Sequence, residues 1–383
     1  MNGSAKRRAK DRIAHLARQH VDLATFWRQS SAAVSSAVPH YMAPCWYTLD
    51  PASLLVTSHF SEDVPEMPSE WLAQEYYEDD VNKLADVARS ERGISTLHDA
   101  TGGHPSRSPR WQQNMAYGGD QEMVAALRTL KGQVWGALGL YRGVDQPLFD
   151  ADDKDFILAI APHLAEGARR ALLVGEATDP EGAYAPGLVV LTDRWEVEST
   201  TARVEQWLRE LPDGDWDAGR LPSSVLSVAG QALRSATDPT CTEAAVSRVL
   251  ARSGTWVVLH GAALVSERTR RVAVIVEPAH PARISPLLMS AYGLTEREQD
   301  VTRLVLQGEP TTEIASHLSV SPATVQQHLK SVFDKTGVRS RRDLVGKVFF
   351  SYYEPRVRDN EHRVVVDKAL RGGPLESSNT LSR

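Results

Sequence analysis

Residues 294–350 read LTEREQDVTRLVLQGEPTTEIASHLSVSPATVQQHLKSVFDKTGVRSRRDLVGKVFF. Thr295 and Glu298 form a T-x-x-E capping box, in which each side chain can satisfy a backbone donor at a helix entry. Val301, Leu304 and Val305 then share one apolar face at helical spacing, and Gly308 stands where a left-handed C-terminal cap is expected. A second helix is predicted from about Thr311, with Ile314, Ala315 and Leu318 on one side. Ser321 supplies an N-cap and Pro322 a first helical residue whose missing N–H is no loss there. The spacing predicts a third helix from Pro322 to Thr336, stopped by Gly337, and a fourth opened by Ser340 and Asp343. The tight Ser319-Val320-Ser321 connection makes the second and third helices a helix-turn-helix.

The third helix has two distinct faces. Val325, Leu329 and Val332, with Phe333 beside them, recur at core spacing. The opposite face carries Ala323, Gln327, Lys330 and Asp334, with Gln326 on its flank. Glutamine can bond adenine twice and lysine can donate to guanine in the major groove, which is where the second helix of this motif lies. Charge follows the same division. Residues 294–318 hold two bases against five acids, whereas residues 319–347 hold six bases against two acids. The positive side is the one a phosphate backbone would meet.

The segments LTEREQDV, EIASHLSVSPATVQQHL and GVRSRRDLV resemble the C-terminal domain of the LuxR (GerE-type) transcriptional regulators. The resemblance spans about a sixth of the chain. It implies a four-helix domain that binds double-stranded DNA, usually as a homodimer, with the fourth helix in the dimer contact. Lys330 matches a contact position of that family. Many members carry lysine where this chain has Thr312 and Gln326, so backbone affinity is expected to be leaner and base preference different. The expected base contacts are Gln326, Gln327 and Lys330; the expected phosphate contacts are Thr312, Ser321, Thr324, Lys335, Arg339 and Arg341.

With 383 residues the chain has room for two or three domains, and its 42% hydrophobic and 24% charged content is ordinary for a globular protein. A net charge of −6 argues against a chain coated in nucleic acid, but suits a DNA-reading module attached to acidic domains. Cys45 and Cys241 form neither a disulfide framework nor a zinc spacing. No run of 18 apolar residues reads as a membrane span, and the basic N-terminus lacks an apolar core for a secretory signal, so a cytoplasmic location is expected.

Residues 1–20 contain six bases and one acid and read as a frayed basic segment leading into a first helix, with Ile13 and Leu16 on one side. Residues 21–175 read as one α/β domain: a helix near Leu23, a strand pair around Asp50-Pro51, a helical stretch from Ser69 to Arg89, a hairpin around Leu130-Lys131-Gly132 and a long helix from Ala151. That order resembles a GAF domain, a fold that takes small molecules over its sheet. Trp46, Trp71, Tyr76 and Trp135 are the candidate pocket residues for a small-molecule effector. Gly118-Gly119-Asp120-Gln121-Glu122 superficially resembles a cyclase signature, but its last two positions depart from it and it reads as a turn. Residues 182–280 show strand pair, helices, strand pair, which resembles a PAS domain. Residues 281–290 read as a proline-marked linker, residues 291–354 as the helix-turn-helix domain and residues 355–383 as a polar tail.

No nucleophile elbow, metal spacing or phosphate loop emerges, and no residue is picked out to hold a haem or flavin, so neither an enzyme nor a cofactor is expected. The expected fold class is multidomain α+β: a GAF-like domain, a PAS-like domain and an all-α four-helix helix-turn-helix domain. The expected function is a signal-responsive regulator that binds an inverted-repeat operator as a dimer. An interaction adaptor that docks a protein through the four-helix domain is the alternative.

Overall fold

The computed structural model describes residues 2–19, 21–62, 68–174, 186–265, 270–279 and 281–345. The tail at 355–383 and the end of the fourth helix lie outside the described residues. Two compact units divide the chain: residues up to 174 together with 186–279, and residues 281–345.

The first unit holds two five-stranded antiparallel sheets. Strands β1 (Cys45–Leu49), β2 (Val56–Phe60), β3 (Ile94–Thr96), β4 (Gln121–Arg128) and β5 (Val134–Arg142) lie in the order β2-β1-β5-β4-β3. Strands β6 (Gly187–Thr192), β7 (Val197–Thr200), β8 (Val246–Leu250), β9 (Trp256–Val265) and β10 (Arg270–Pro278) lie in the order β7-β6-β10-β9-β8. Numbered within its own sheet, each is 2-1-5-4-3. Strands β3 and β8, the third strand of each sheet, were not expected from the sequence. The first is three residues long and both are edges, so neither shows the extended alternation that marks a strand.

Helices α1 (Asn2–Leu16) and α2 (Leu23–Ser35) open the unit, α3 (Ser69–Tyr77), α4 (Leu84–Arg89), α5 (Leu97–Ala100) and α6 (Pro109–Met115) cross between β2 and β4, and α7 (Ala151–Val174) follows β5. The second sheet contributes α8 (Val204–Glu210) and α9 (Ser223–Thr237). The helical stretch expected over 69–89 is broken in two. Asp79, Asp80 and Asn82 interrupt it, and Asn82 sits at φ 62°, a left-handed conformation that no helix continues through.

The basic N-terminus is a packed helix and corrects the frayed-segment expectation. Ala9, Ile13 and Leu16 of α1 are buried. Lys6 is buried too, with Nζ 2.7 Å from Asp152 and 3.2 Å from Asp153 in the first turn of α7. The charge of Lys6, one of the six bases, is neutralised by acids 146 and 147 residues away, while Arg7, Arg8, Lys10, Arg12 and Arg18 stay exposed.

Helix α9 explains why the two sheets form one unit. Ten consecutive residues, Ser224 to Leu233, are buried, so every side of the helix is covered. It packs against α3 and β2 on the first sheet and against β9 and β10 on the second. Gly230 makes this approach close: a Cβ there would stand 2.2 Å from the Ala73 carbonyl oxygen. Ser227 Oγ donates to the Val56 carbonyl at 2.8 Å. At the sheet edges, the buried carboxylate of Asp50 accepts from Arg248 Nε at 2.9 Å, Nη2 at 2.7 Å and backbone N at 2.9 Å. Asp213 accepts from the backbone N of His59 at 2.7 Å and of Ser223 at 2.9 Å. Residues 21–175 and 182–280 each supply a sheet, but they share one interior.

The second unit is helical: α10 (Pro281–Ala291), α11 (Glu296–Leu306), α12 (Thr311–His317), α13 (Pro322–Thr336) and a further helical turn at 341–345. The expected linker at 281–290 is therefore helix α10. Its prolines suggested a break, yet Pro281 occupies the first helical position, where proline is favoured. Met289 at its far end joins Leu294, Val301, Val305, Ile314, Val325, Leu329, Val332 and Leu344 in one core.

Candidate functional site

Helix α13 is held from three sides before its outer face can present anything. Ser321 Oγ accepts from Thr324 N at 3.1 Å, Pro322 occupies the first turn, and Gly337 closes the helix at φ 71°. Val325, Leu329 and Val332 are buried, and Phe333 packs half-buried beside them. The turn from α12 passes through Ser319 at φ 54°, and Val320 N closes it on the Ala315 carbonyl at 2.9 Å. A serine in the left-handed region carries a local strain of about 1 kcal/mol, which the buried helices on both sides enforce.

Gln326, Gln327 and Lys330 are exposed along the outer face, and among the described residues Lys330 has no ion-pair partner. Gln326 Nε2 lies 3.3 Å from Thr311 Oγ1. Thr312, Ser321 and Arg339 are exposed, and Thr324 is half-buried against Ser321.

Two of the expected phosphate contacts have other employment. Lys335 Nζ lies 2.7 Å from Glu298 Oε1, and Ser331 Oγ donates to the same oxygen at 2.7 Å. The other carboxylate oxygen accepts from Thr295 N at 2.6 Å, completing the capping box. Burial would raise the pKa of Glu298; Lys335, Ser331 and the Thr295 N–H outweigh it and hold the carboxyl down to about 2. Arg341 donates Nη1 to Thr311 Oγ1 at 3.0 Å and Nη2 to the Glu309 carbonyl. These two cations tie α13 and the fourth helix to α11 and α12. A capping-box glutamate facing the core requires a counter-charge, which was the available signal for Lys335.

The first unit contains a cavity of about 390 Å³ over one face of the first sheet. Of the four candidate pocket residues, only Trp71 lines it. Trp46 is fully buried on the opposite face, stacked on Trp27 with centroids 4.7 Å apart, and its Nε1 donates to Ser31 Oγ at 2.8 Å. Its neighbour Tyr47 lines the cavity instead, because adjacent strand residues point to opposite faces. Tyr76 is buried between Leu54 and Val56, donating to one carbonyl and accepting from the other N–H. Trp135 is buried in the strand, at the bulge where Leu127 pairs with Gly136 and Arg128 with Val134.

The cavity floor is ionic. Arg110 Nη1 lies 2.6 Å from Glu75 Oε2 and its Nε 2.7 Å from Glu122 Oε2. Asn82 Nδ2 and Tyr141 OH also donate to Glu122, at 2.9 Å and 3.3 Å. Burial is the largest influence on Glu75 and leaves its pKa raised despite Arg110. Sequence reading missed this cluster, since its members come from α3, α6 and β4. Cys45 is fully buried and its thiol is pushed up to about 12 by that burial, which leaves it inert at neutral pH. Among the described residues no group of three His, Cys, Asp or Glu side chains is arranged to hold a metal ion.

Comparison with known proteins bears on the helical unit. Residues 293–348 match the model of bacterial regulatory proteins, luxR family. The spore germination protein GerE of Bacillus subtilis is 42% identical over 52 residues, which are 14% of this chain and 70% of that protein. A protein of Mycobacterium bovis named as an HTH-type transcriptional regulator is 52% identical over 52 residues, covering 14% of this chain and 6% of its own length. The transcriptional regulatory protein DesR of Bacillus subtilis is 34% identical over 65 residues, 17% of this chain and 33% of that protein. This chain thus spans only 6% of the length of the mycobacterial relative.

Proposed function

We propose, for a chain that belongs to the luxR family of bacterial regulatory proteins, that it is a DNA-binding transcriptional regulator whose two-sheet unit receives a signal. One observation carries the reading: α13 exposes Gln326, Gln327 and Lys330 in a row while its opposite face is anchored in a core. Helix α13 enters the major groove, where these three side chains read base edges. Thr312, Ser321, Thr324 and Arg339 meet the flanking phosphates. Lys335 and Arg341 act at one remove, by holding the helices that present the others.

The chain acts as a homodimer on an inverted repeat, so that two copies of α13 meet successive turns of the duplex. The two-sheet unit combines a GAF-like and a PAS-like half, and the 2-1-5-4-3 order of both sheets and the partly open cavity support a sensory role. A signal shifts the population of dimers competent to bind.

The test is selection of bound fragments from genomic DNA, followed by affinity measurement on the recovered site. An inverted repeat protected in both halves is expected. Lys330→Ala is expected to weaken specific binding by about 1–3 kcal/mol at matched salt. Protection of a single half-site by a monomer would overturn the dimer, and unchanged affinity would remove Lys330 from the contacts.

A further inference from the structure

The cavity in the two-sheet unit has an uneven charge balance. Its lining includes the carboxylates of Glu75, Glu122 and Asp213. Arg110 is the guanidinium shared by the first two, so the cluster retains one negative charge when both are ionised. The other arginine in the lining, Arg220, is paired with Asp215 at 3.0 Å. Asp213 accepts from two backbone N–H groups, and the Arg252 guanidinium acts on it only through space. A buried carboxylate pair with a single directly bonded guanidinium, the buried Lys83 ammonium acting on Glu75 only through space, is a place where a further cation gains more than it would in water.

The walls are aromatic. Tyr47, Trp71 and Tyr141 line the space, Tyr47 stacks on His59 at 4.9 Å, and Trp71 is braced edge-on by Tyr117 at 5.1 Å. Two lining residues also carry buried polar atoms without a hydrogen-bond partner, His59 Nε2 and Asn114 Nδ2. Such atoms are uncommon in folded proteins. His59 supplies no competing positive charge, since burial lowers its pKa to about 4.

We propose that this cavity binds a small organic cation, a protonated amine on a flat aromatic body. The ammonium group sits against Glu122 and Glu75 and in reach of the tyrosine and tryptophan faces, which attract a cation through their quadrupoles. The aromatic body fills the space beside Trp71, and a polar substituent on it engages Asn114 or His59. A cavity of about 390 Å³ falls at the lower end of the range for small-molecule sites, which suits a one- or two-ring body. The excess of carboxylates disfavours organic acids and phosphates by like-charge repulsion. This proposal rests on the reading of the two-sheet unit as the receiver of a signal, and it names the chemistry of that signal.

The test is calorimetric titration of the full chain, without DNA, using tryptamine and 2-phenylethylamine. 3-Phenylpropionate and 2-phenylethanol serve as the matched acid and alcohol. Saturable binding of at least one amine is expected, at least tenfold tighter than the acid or the alcohol. Glu122→Gln leaves Arg110 paired one-to-one with Glu75 and is expected to weaken the amine at least tenfold. Trp71→Ala, at a half-buried wall position, is expected to weaken it by a similar factor and serves alone if Glu122→Gln does not fold. Binding of the acid as tightly as the amines, no binding by either amine, or full amine affinity in a folded variant would overturn the proposal. Lys330→Ala separates the two readings: it is expected to weaken operator binding and keep amine binding. A chain that binds DNA but no amine retains the regulator and loses this ligand class.

Discussion

Glu298 in the helical unit and Glu75 in the two-sheet unit are both buried, and their surroundings drive their acidity in opposite directions. Glu298 has its own ammonium, a serine hydroxyl and a backbone N–H, and these overcome burial and hold it down to about 2. Glu75 has half an arginine. Burial pushes it up, Arg110 and the Leu84 N–H pull back, and Glu122 on the far side of the same guanidinium pushes it up again. The difference separates a carboxylate that holds helices together from one that is short of a cation. The first kind is a structural tie, made through a lysine that the sequence alone offers as a phosphate contact. The second is where an added positive charge has something to do.

The largest effect expected from this contrast is at Arg110. Arg110→Met leaves two carboxylates buried without a counter-ion and is expected to destabilise the two-sheet unit by about 3–5 kcal/mol in urea unfolding. A loss under about 1 kcal/mol would mean that the two acids are not both charged, and the contrast would break. Glu298→Gln comes next. It keeps the shape of the side chain and removes the charge from its bonds to Lys335, Ser331 and Thr295 N–H. Loss of about 1.5–3 kcal/mol is expected in thermal unfolding of the helical unit. If Lys335→Met has the same effect alone, and adding it to Glu298→Gln changes nothing more, the tie is shown to be between those two groups.

The smallest and most diagnostic effect is on pH dependence, followed through the side-chain carboxyl carbon shifts of both glutamates. An unfolded glutamate titrates near about 4.3. Glu298 is depressed below that, so its contribution to stability is complete above about 4.3 and is lost as pH falls towards 2. Glu75 is raised, so its folded form takes up a proton before its unfolded form does. Its contribution improves as pH falls through the raised value, and no further gain comes below about 4.3. Titration of both glutamates at the same pH would sharpen nothing and would erase the distinction between the units.

The two units also differ in how far residues alone disclosed them. Helix α13 could be bounded from three residues, Ser321, Pro322 and Gly337, because caps act on the backbone beside them. The exposed row of Gln326, Gln327 and Lys330 followed from the same periodicity that buried Val325, Leu329 and Val332. Lys335 and Arg341 read as free cations because the groups that hold them, the Glu298 carboxylate of α11 and the Glu309 carbonyl between α11 and α12, lie in other segments of the chain. In the two-sheet unit the candidate pocket fared worse. Trp46 and Tyr47 are adjacent in sequence, and composition alone cannot tell which of two neighbouring aromatics faces the helices and which the cavity. Trp135 was subject to the added uncertainty of a bulge, which resets the alternation along its strand.

What the sequence by itself determined was local: the helix caps, the hairpins, the long helix α7 and the two faces of α13. Each depends on residues within a turn or two of one another, where propensity and capping chemistry act directly. Tertiary structure alone decided that α9 is enclosed by both sheets, that α1 is packed with its lysine on two distant acids, and that Glu75, Arg110 and Glu122 converge on one cavity. Those arrangements join segments tens to hundreds of residues apart. Their energy comes from burial and from charge pairing in a low-dielectric interior, and neither exists until the chain has folded.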